Sequence, residues 1–241
     1  MKIDVLTLFP GMFSGYFGES IMKRARERGI LDLAVHNLRD WAGDIHRKVD
    51  DAPYGGGAGM VMMAGVLAAA VEALRGEGTR VVLLSPQGAR LDHGAVERLS
   101  RGRHLLLVSG HYEGIDERAR ELLMDEEISV GDFVVSNGSL AAMVLIDAVT
   151  RLLPGAVGDE RSVREESFRE GLLDYPHYTR PRVFRGIEVP AVLLSGDHEK
   201  IRRWRRREAL RRTMERRPDL LERAALTEED RGLLREMRGG R

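Results

Sequence analysis

Residues 129–149 read SVGDFVVSNGSLAAMVLIDAV, a short apolar strand that passes through a Ser-Asn-Gly turn directly into an apolar helix. Phe133, Val134 and Val135 have β character, and Asn137 and Gly138 tolerate positive φ. Ser139 is placed to cap a helix that Leu140, Met143, Val144 and Val149 drive inward. Such a joint leaves backbone N–H and C=O groups available to a small ligand. Two more apolar strands end in a similar way. Leu84 runs into Ser85, Pro86, Gln87 and Gly88, and Val108 runs into Ser109, Gly110, His111, Tyr112, Glu113 and Gly114. Singly, each turn reads as a glycine-permitted connection. Together they point to the crevice at the carboxyl ends of the strands of an open α/β sheet, where ligands bind.

Around these turns strand and helix signals alternate. Strands are predicted at 3–9, 31–36, 80–84 and 104–108, and helices at 17–28, 64–74, 92–101 and 115–124, which implies an α/β domain with a largely parallel sheet. The irregular stretch 37–62 carries HRKVDDAPYGGGAGM, and a loop of that length is seldom idle. Its run of Gly55, Gly56, Gly57 and Gly59 follows Asp50, Asp51 and Pro53 rather than a strand, and no Lys-Ser or Lys-Thr pair comes after it. That excludes both a dinucleotide fingerprint and a P-loop. The run reads equally as a hinge or as a loop that lets a flat base approach the backbone.

Past Arg151, Pro154 and Gly155 stop the helix, and residues 158–170 are polar without apolar period, a linker expected to order on binding. A small helical domain follows: a basic helix near 199–215, a turn at Pro218, a short helix, and a last helix capped by Thr227 with Asp230 three residues on. The terminal RGGR is expected to fray. The predicted division is therefore 1–157, a linker at 158–171, and 172–241.

The 241 residues, 43% hydrophobic and 32% charged, suit one large domain plus a smaller one. The absence of cysteine rules out disulfides and thiolate metal sites. No apolar run reaches the ~18 residues that span a bilayer, so the chain reads as cytoplasmic. Seven histidines show no HExxH or paired spacing, which argues against zinc, and no GxSxG supports a serine triad. Net charge is zero, yet residues 196–217 hold ten Lys or Arg against four acids. Such a stripe fits a phosphate-backbone partner, and equally a solvated helix face with internal ion pairs.

PYGGGAGM, LSPQG, GHYEGIDER, SVGDFVVSNGSLAAMVLIDAV, ESF, GLLDYPHYTRP, VLLSGDH and IRRWR occur in this order over nearly the whole chain. Together they resemble the bacterial tRNA (guanine-N1)-methyltransferase family, TrmD type, of the SPOUT superfamily. The resemblance implies a SPOUT-type α/β fold with a deep trefoil knot formed by the three turns, plus a small all-α C-terminal domain. It also implies an obligate homodimer with composite active sites between subunits. S-adenosylmethionine would be held mostly by backbone groups. Gly110, Val130, Gly131, Asp132, Phe133, Val134 and Val135 would contact it, and Leu84 and Gly138 would line its pocket.

Guanine N1 carries a proton and is a poor nucleophile until that proton leaves, so a general base is required, and a cation must stabilise the charge that builds on O6. By the same resemblance Glu166 is the base, where the family usually has aspartate, and Arg151 is the cation. Read without the resemblance, Glu166 is a solvated linker charge and Arg151 a helix C-terminal cation. The implied RNA contacts are Tyr54, Gly55, Gly56, Gly57 and Gly59 for a flipped base, with Glu113 beside them, and Arg202 and Arg205 for phosphates. Asn137 replaces a common glycine, Ser139 a common glutamate, and Ser109 a frequent cysteine. Mg²⁺ is a candidate metal without a dedicated site in the sequence. The competing readings are a catalytically impaired RNA-binding dimer and a SPOUT methylase of another RNA position; dehydrogenase chemistry lacks a strand-led GxGxxG.

Overall fold

A computed structural model of the protein describes residues 1–158 and 166–239. Residues 159–165 of the expected linker, and Gly240 and Arg241, lie outside the described residues. The chain forms two compact units, divided between residues 160 and 161.

The first unit is built on a five-stranded sheet in the order β2-β1-β6-β5-β7, with every neighbouring pair parallel. Its strands are β1 (Lys2–Thr7), β2 (Asp32–Asn37), β5 (Thr79–Arg90), β6 (His104–Ser109) and β7 (Glu126–Ser129). The connecting helices are α1 (Ser20–Glu27), α2 (Ala64–Leu74), α3 (His93–Ser100), α4 (Glu117–Leu123) and α5 (Gly138–Arg151). Central strands of a parallel sheet are covered on both faces and so read as continuous apolar runs; all six residues of β6, HLLLVS, are buried. The period of two then sorts them. Val82, Leu84, Leu105, Leu107 and Ile128 join one core, packed under α5, whereas Val81, Leu83, Leu106 and Val108 join the other, under α2.

Three local expectations fail within residues 129–149. Residues 133–135 form no strand. The last strand of the sheet, β7, lies just before them and ends at a turn in which Gly131 takes φ +154 while the Ser129 hydroxyl donates to the Gly131 carbonyl at 3.0 Å. Phe133 and Val134 are left 58% and 82% exposed. Ser139 does not cap α5, and neither Asn137 nor Gly138 takes a positive φ. Asn137 sits at φ −164, and its side chain accepts from the Ser139 N–H at 2.9 Å. The helix turns Ala141, Ala142, Leu145, Ile146 and Val149 to the sheet, while Leu140 and Val144, expected inward, are exposed.

Asp4, 1% exposed on β1, receives Lys2 Nζ at 2.8 Å and the Nε2 atoms of His36 and His104 at 2.7 Å each. Burial pushes its carboxyl up, but these hydrogen bonds outweigh burial and hold it below the ordinary value.

The second unit contains α6 (His198–Arg216), α7 (Pro218–Arg223) and α8 (Glu228–Gly239), and a short antiparallel ribbon of β8 (Val183–Phe184) and β9 (Ile187–Glu188). Leu172, Leu210, Leu233 and Leu234 form its core. The expected capping box is present, with the Thr227 N–H on Asp230 Oδ2 at 2.9 Å and the Asp230 N–H on Thr227 Oγ1 at 3.2 Å. Buried Asp230 also takes Arg206 Nε at 2.7 Å, which brings its carboxyl down to about 2. Because that value lies below the unfolded one, the stabilisation is complete above about pH 4 and is lost as the pH falls toward 2. Asp230→Ala, which leaves Arg206 without its buried partner, is expected to cost the second unit about 3 kcal/mol. Denaturant unfolding followed through Trp204 on α6 measures the loss, and a change below about 0.5 kcal/mol would refute it.

Candidate functional site

Three segments, one within β5 and the others following β6 and β7, converge on one cavity of about 330 Å³. The first, Ser85–Gly88, is an outward loop within β5 rather than a terminal turn, because Leu84 and Ala89 both pair with Ile128 and the four residues between them loop out. Gly88 there has no room for a side chain. A Cβ would lie 2.4 Å from the Ile128 nitrogen and 2.5 Å from the Glu127 carbonyl carbon.

The second segment, 110–114, meets the third, 130–138, by direct backbone contact, with the Gly138 N–H donating to the Gly110 carbonyl at 2.8 Å. A Cβ on Gly138 would fall 2.8 Å from the Gly110 nitrogen and 2.9 Å from Ser109 Cα. His111 Nδ1 reaches the Ser136 carbonyl at 3.1 Å and ties the same two segments together. Of the expected donor residues, Leu84, Gly110, Val130, Phe133, Val134, Val135 and Gly138 line this cavity. Gly131 and Asp132 lie in the loop between two lining residues, with the Phe133 ring against Gly131. The lining mixes apolar residues such as Leu83, Leu84, Ile128 and Val130 with Glu113, Glu117 and Glu127, and Arg120 among them pairs with Glu117 at 2.9 Å and Glu127 at 3.9 Å, so the cavity suits a small molecule with both apolar and polar parts.

The glycine-rich stretch also finds its place. It is the tip of an antiparallel ribbon of β3 (Asp50–Asp51) and β4 (Val61–Met62). Gly55, Gly56, Gly57 and Gly59 all take positive φ, and Tyr54 is 99% exposed. The Glu113 N–H donates to the Met60 carbonyl, and the Met62 N–H to the Gly114 carbonyl, each at 3.0 Å. A Cβ on Gly59 would strike Glu113 Oε1 at 2.3 Å. The expected base loop and Glu113 are thus brought together at the edge of this cavity, which Glu113 lines.

Arg151 is not part of that cluster. It is the last residue of α5, thirteen residues on from Gly138, so the helix rise puts it roughly 20 Å from the turn at Gly138. Glu166, half-buried in the second unit, lines a separate cavity of about 410 Å³ with Glu170, Tyr175, Arg202, Arg205 and Arg206.

The basic stripe proves largely internal. Arg202 pairs with Glu199 at 2.7 Å and Glu229 at 2.8 Å, which raises its guanidinium further. Arg203 pairs with Glu236, Arg206 with Asp230 and Glu170, and Arg211 with Glu208 and Glu215. Arg205 instead lies over the Tyr175 ring, 4.8 Å from its centroid. Sequence reasoning missed Thr7. Its hydroxyl bonds that of buried Ser139 at 2.8 Å and so anchors the start of α5 to the end of β1 across 132 positions, a pairing with no local signal. Among the described residues no three His, Cys, Asp or Glu side chains gather closely enough to hold a metal, and no helix is long and apolar enough to cross a membrane.

Similarity to known proteins runs the length of this framework. Proteins named tRNA (guanine-N(1)-)-methyltransferase from Pelotomaculum thermopropionicum and Moorella thermoacetica are 57% and 58% identical over 241 residues, covering 98% of this chain and 96% of each relative. The protein of that name from Geobacter sulfurreducens is 56% identical over 236 residues, 97% of this chain and 96% of its own length. A sequence model described as tRNA (Guanine-1)-methyltransferase TrmD matches residues 1–223, and with it the three loops, the glycine ribbon and most of the second unit, so the chain belongs to that family.

Proposed function

We propose that the protein transfers a methyl group from S-adenosylmethionine to N1 of the guanosine 3′-adjacent to the tRNA anticodon, position 37. The observation that carries this reading is the convergence of loops 84–88, 110–114 and 130–138 on one cavity in a chain of this family. S-adenosylmethionine supplies an electrophilic methyl on a sulfonium, so the protein's task is to prepare the acceptor. Glu166 takes the N1 proton as the new N–C bond forms and the S–C bond breaks, and the Arg151 guanidinium faces the charge that builds on O6. Tyr54 and the glycine tip receive the flipped base, and Arg205 is the better placed of the two expected phosphate contacts, since Arg202 already holds two carboxylates.

The reading includes the finer parts of the resemblance: a trefoil knot through the three loops, a C-terminal domain from 172 onward reached by a linker at 158–171, and a cytoplasmic homodimer. The position of Arg151 favours a dimer. A cation ~20 Å along α5 from its own donor turn serves a site only if that site is completed by a second copy. The side of α5 that carries exposed Leu140 and Val144 and half-buried Asp147 and Arg151, with Tyr16 donating to Asp147, is a suitable face for that copy. Mg²⁺ stays a candidate, and no step here runs through it.

The impaired-binder alternative rests on Asn137, Ser139 and Glu166. The first two are accommodated, as a helix cap and as a partner of Thr7. Incubation of the dimer with labelled S-adenosylmethionine and a tRNA transcript, followed by mapping of the modified base, tests the reading. N1-methylguanosine at position 37, lost with Glu166→Ala, is expected. RNA binding without turnover would establish the binder, and methylation elsewhere a related methylase.

A further inference from the structure

The second unit holds another cavity of about 410 Å³, on the side of Tyr175 and Arg205 away from the one lined by Glu166. Tyr175, Arg205 and Ile201 belong to both linings, so the Tyr175–Arg205 pair is the wall between them. The segment that forms its other side is DYPHYTRPR, part of a motif to which the methylation chemistry assigns no role.

Three features define what this space can hold. The lining includes Arg180, Arg182, Arg205 and His177 and no Asp or Glu, so it favours an anion. Arg182 reaches Glu188 only at 4.0 Å, and Arg180 and Arg205 form no ion pair among the described residues, unlike Arg202, Arg203, Arg206 and Arg211 on the same helix. Aromatic faces supply the rest. Tyr178 is 46% exposed and sits 6.3 Å from Trp204, while the His177 imidazole, 4.7 Å from the Tyr175 ring, is held by Asp174 Oδ2 at 2.8 Å. An anion alone would need no aromatic face, and an apolar peptide would leave two guanidinium groups unpaired. A planar ring attached to a phosphate satisfies both, and about 410 Å³ is within the ~300–1,000 Å³ of small-molecule sites.

We propose that this cavity binds a second, unpaired nucleotide of the RNA substrate, its base stacked on Tyr178 and its phosphate on Arg180 and Arg205. The proposal rests on the tRNA-methylating reading and adds to it a site separate from the reacting guanosine. Stacking on a π-face tolerates any base, so the site adds affinity and register without reading sequence. Tyr175 places Arg205 by the contact of its ring with the guanidinium.

Anisotropy of a labelled tRNA transcript with the full-length protein over a range of salt concentrations tests the site. Tyr178→Ala is expected to weaken binding about 5- to 150-fold with an unchanged salt slope, and Tyr178→Phe to stay within about twofold of the parent. Arg180→Gln and Arg205→Gln are each expected to weaken binding and reduce the salt slope by about one. Circular dichroism and denaturant unfolding followed through Trp204 check that the second unit is folded. Should Tyr178→Ala misfold, the two arginine variants decide. Parental affinity in Tyr178→Ala, or parental slopes in both arginine variants, overturns the proposal. If the parent still methylates the transcript, only this site is lost; a parent that neither binds nor methylates tRNA ends both readings.

Discussion

Glu166→Gln is expected to lower kcat for tRNA methylation by about 100- to 10,000-fold, the range a positioned general base supplies. The substitution keeps the size and shape of the side chain and one acceptor oxygen, turns the other into an NH2 donor, and removes the charge and with it the capacity to accept a proton from N1. Donor affinity should not move, because the proposed donor loops 84–88, 110–114 and 130–138 do not include Glu166. Glu166→Asp should retain most of the activity, since it restores the residue usual at this place in the family and changes reach by a single methylene. Raising the pH should partly rescue Glu166→Gln but not a variant with a damaged donor site, since alkaline solution removes the N1 proton unaided. Single-turnover methylation under saturating tRNA and S-adenosylmethionine provides the measurement. A rate within threefold of the parent would remove Glu166 from the mechanism and return it to the alternative reading, a linker charge beside Arg202 and Arg206.

What the sequence could disclose divides by range. Helix α2 runs from Ala64 to Leu74 as expected, and the Thr227–Asp230 cap is where the spacing placed it, because both depend on neighbours within a few residues. The failures occur where tertiary contact outweighs local propensity. Phe133, Val134 and Val135 have strong β character, but the turn at Gly131 carries them off the sheet to the rim of a cavity. Leu140 and Val144 are as apolar as Leu145 and Ile146, and hydropathy alone could not tell which side of α5 meets the sheet. The charge of residues 196–217 was legible, whereas its disposition was not. Glu229, Asp230 and Glu236 on α8 neutralise arginines about 24 to 33 positions away, and only the fold brings the two helices together. The convergence of the three glycine-bearing loops on one cavity was legible because turns recur where apolar runs end, a pattern that the parallel sheet makes meaningful. Thr7, whose only signal is spatial, could not be found that way.

Gly138→Ala is expected to abolish measurable S-adenosylmethionine binding, a loss of at least about 100-fold, although alanine is a better helix residue than glycine. Propensity favours the change at the first position of α5, and Gly138 does not need a positive φ, so the reason lies in space alone. The added methyl would sit 2.8 Å from the Gly110 nitrogen, 2.9 Å from Ser109 Cα and 3.2 Å from the Ser109 carbonyl carbon, all main-chain atoms of a buried strand end that cannot rotate aside. Relief requires α5 and the 110–114 loop to separate, which stretches the 2.8 Å hydrogen bond from the Gly138 N–H to the Gly110 carbonyl and opens the cavity wall. Overpacking of this kind also costs about 1–3 kcal/mol of stability, so Trp41 in the first unit should report an earlier unfolding transition. Ser139→Ala is the matched control. It removes the hydroxyl bonded to Thr7 but adds no atom, and about 1 kcal/mol of stability should be lost with donor affinity changed by less than tenfold. Calorimetric titration with S-adenosylmethionine separates the two outcomes. If Gly138→Ala binds the donor as tightly as the parent, the meeting of these two loops is not what shapes the site.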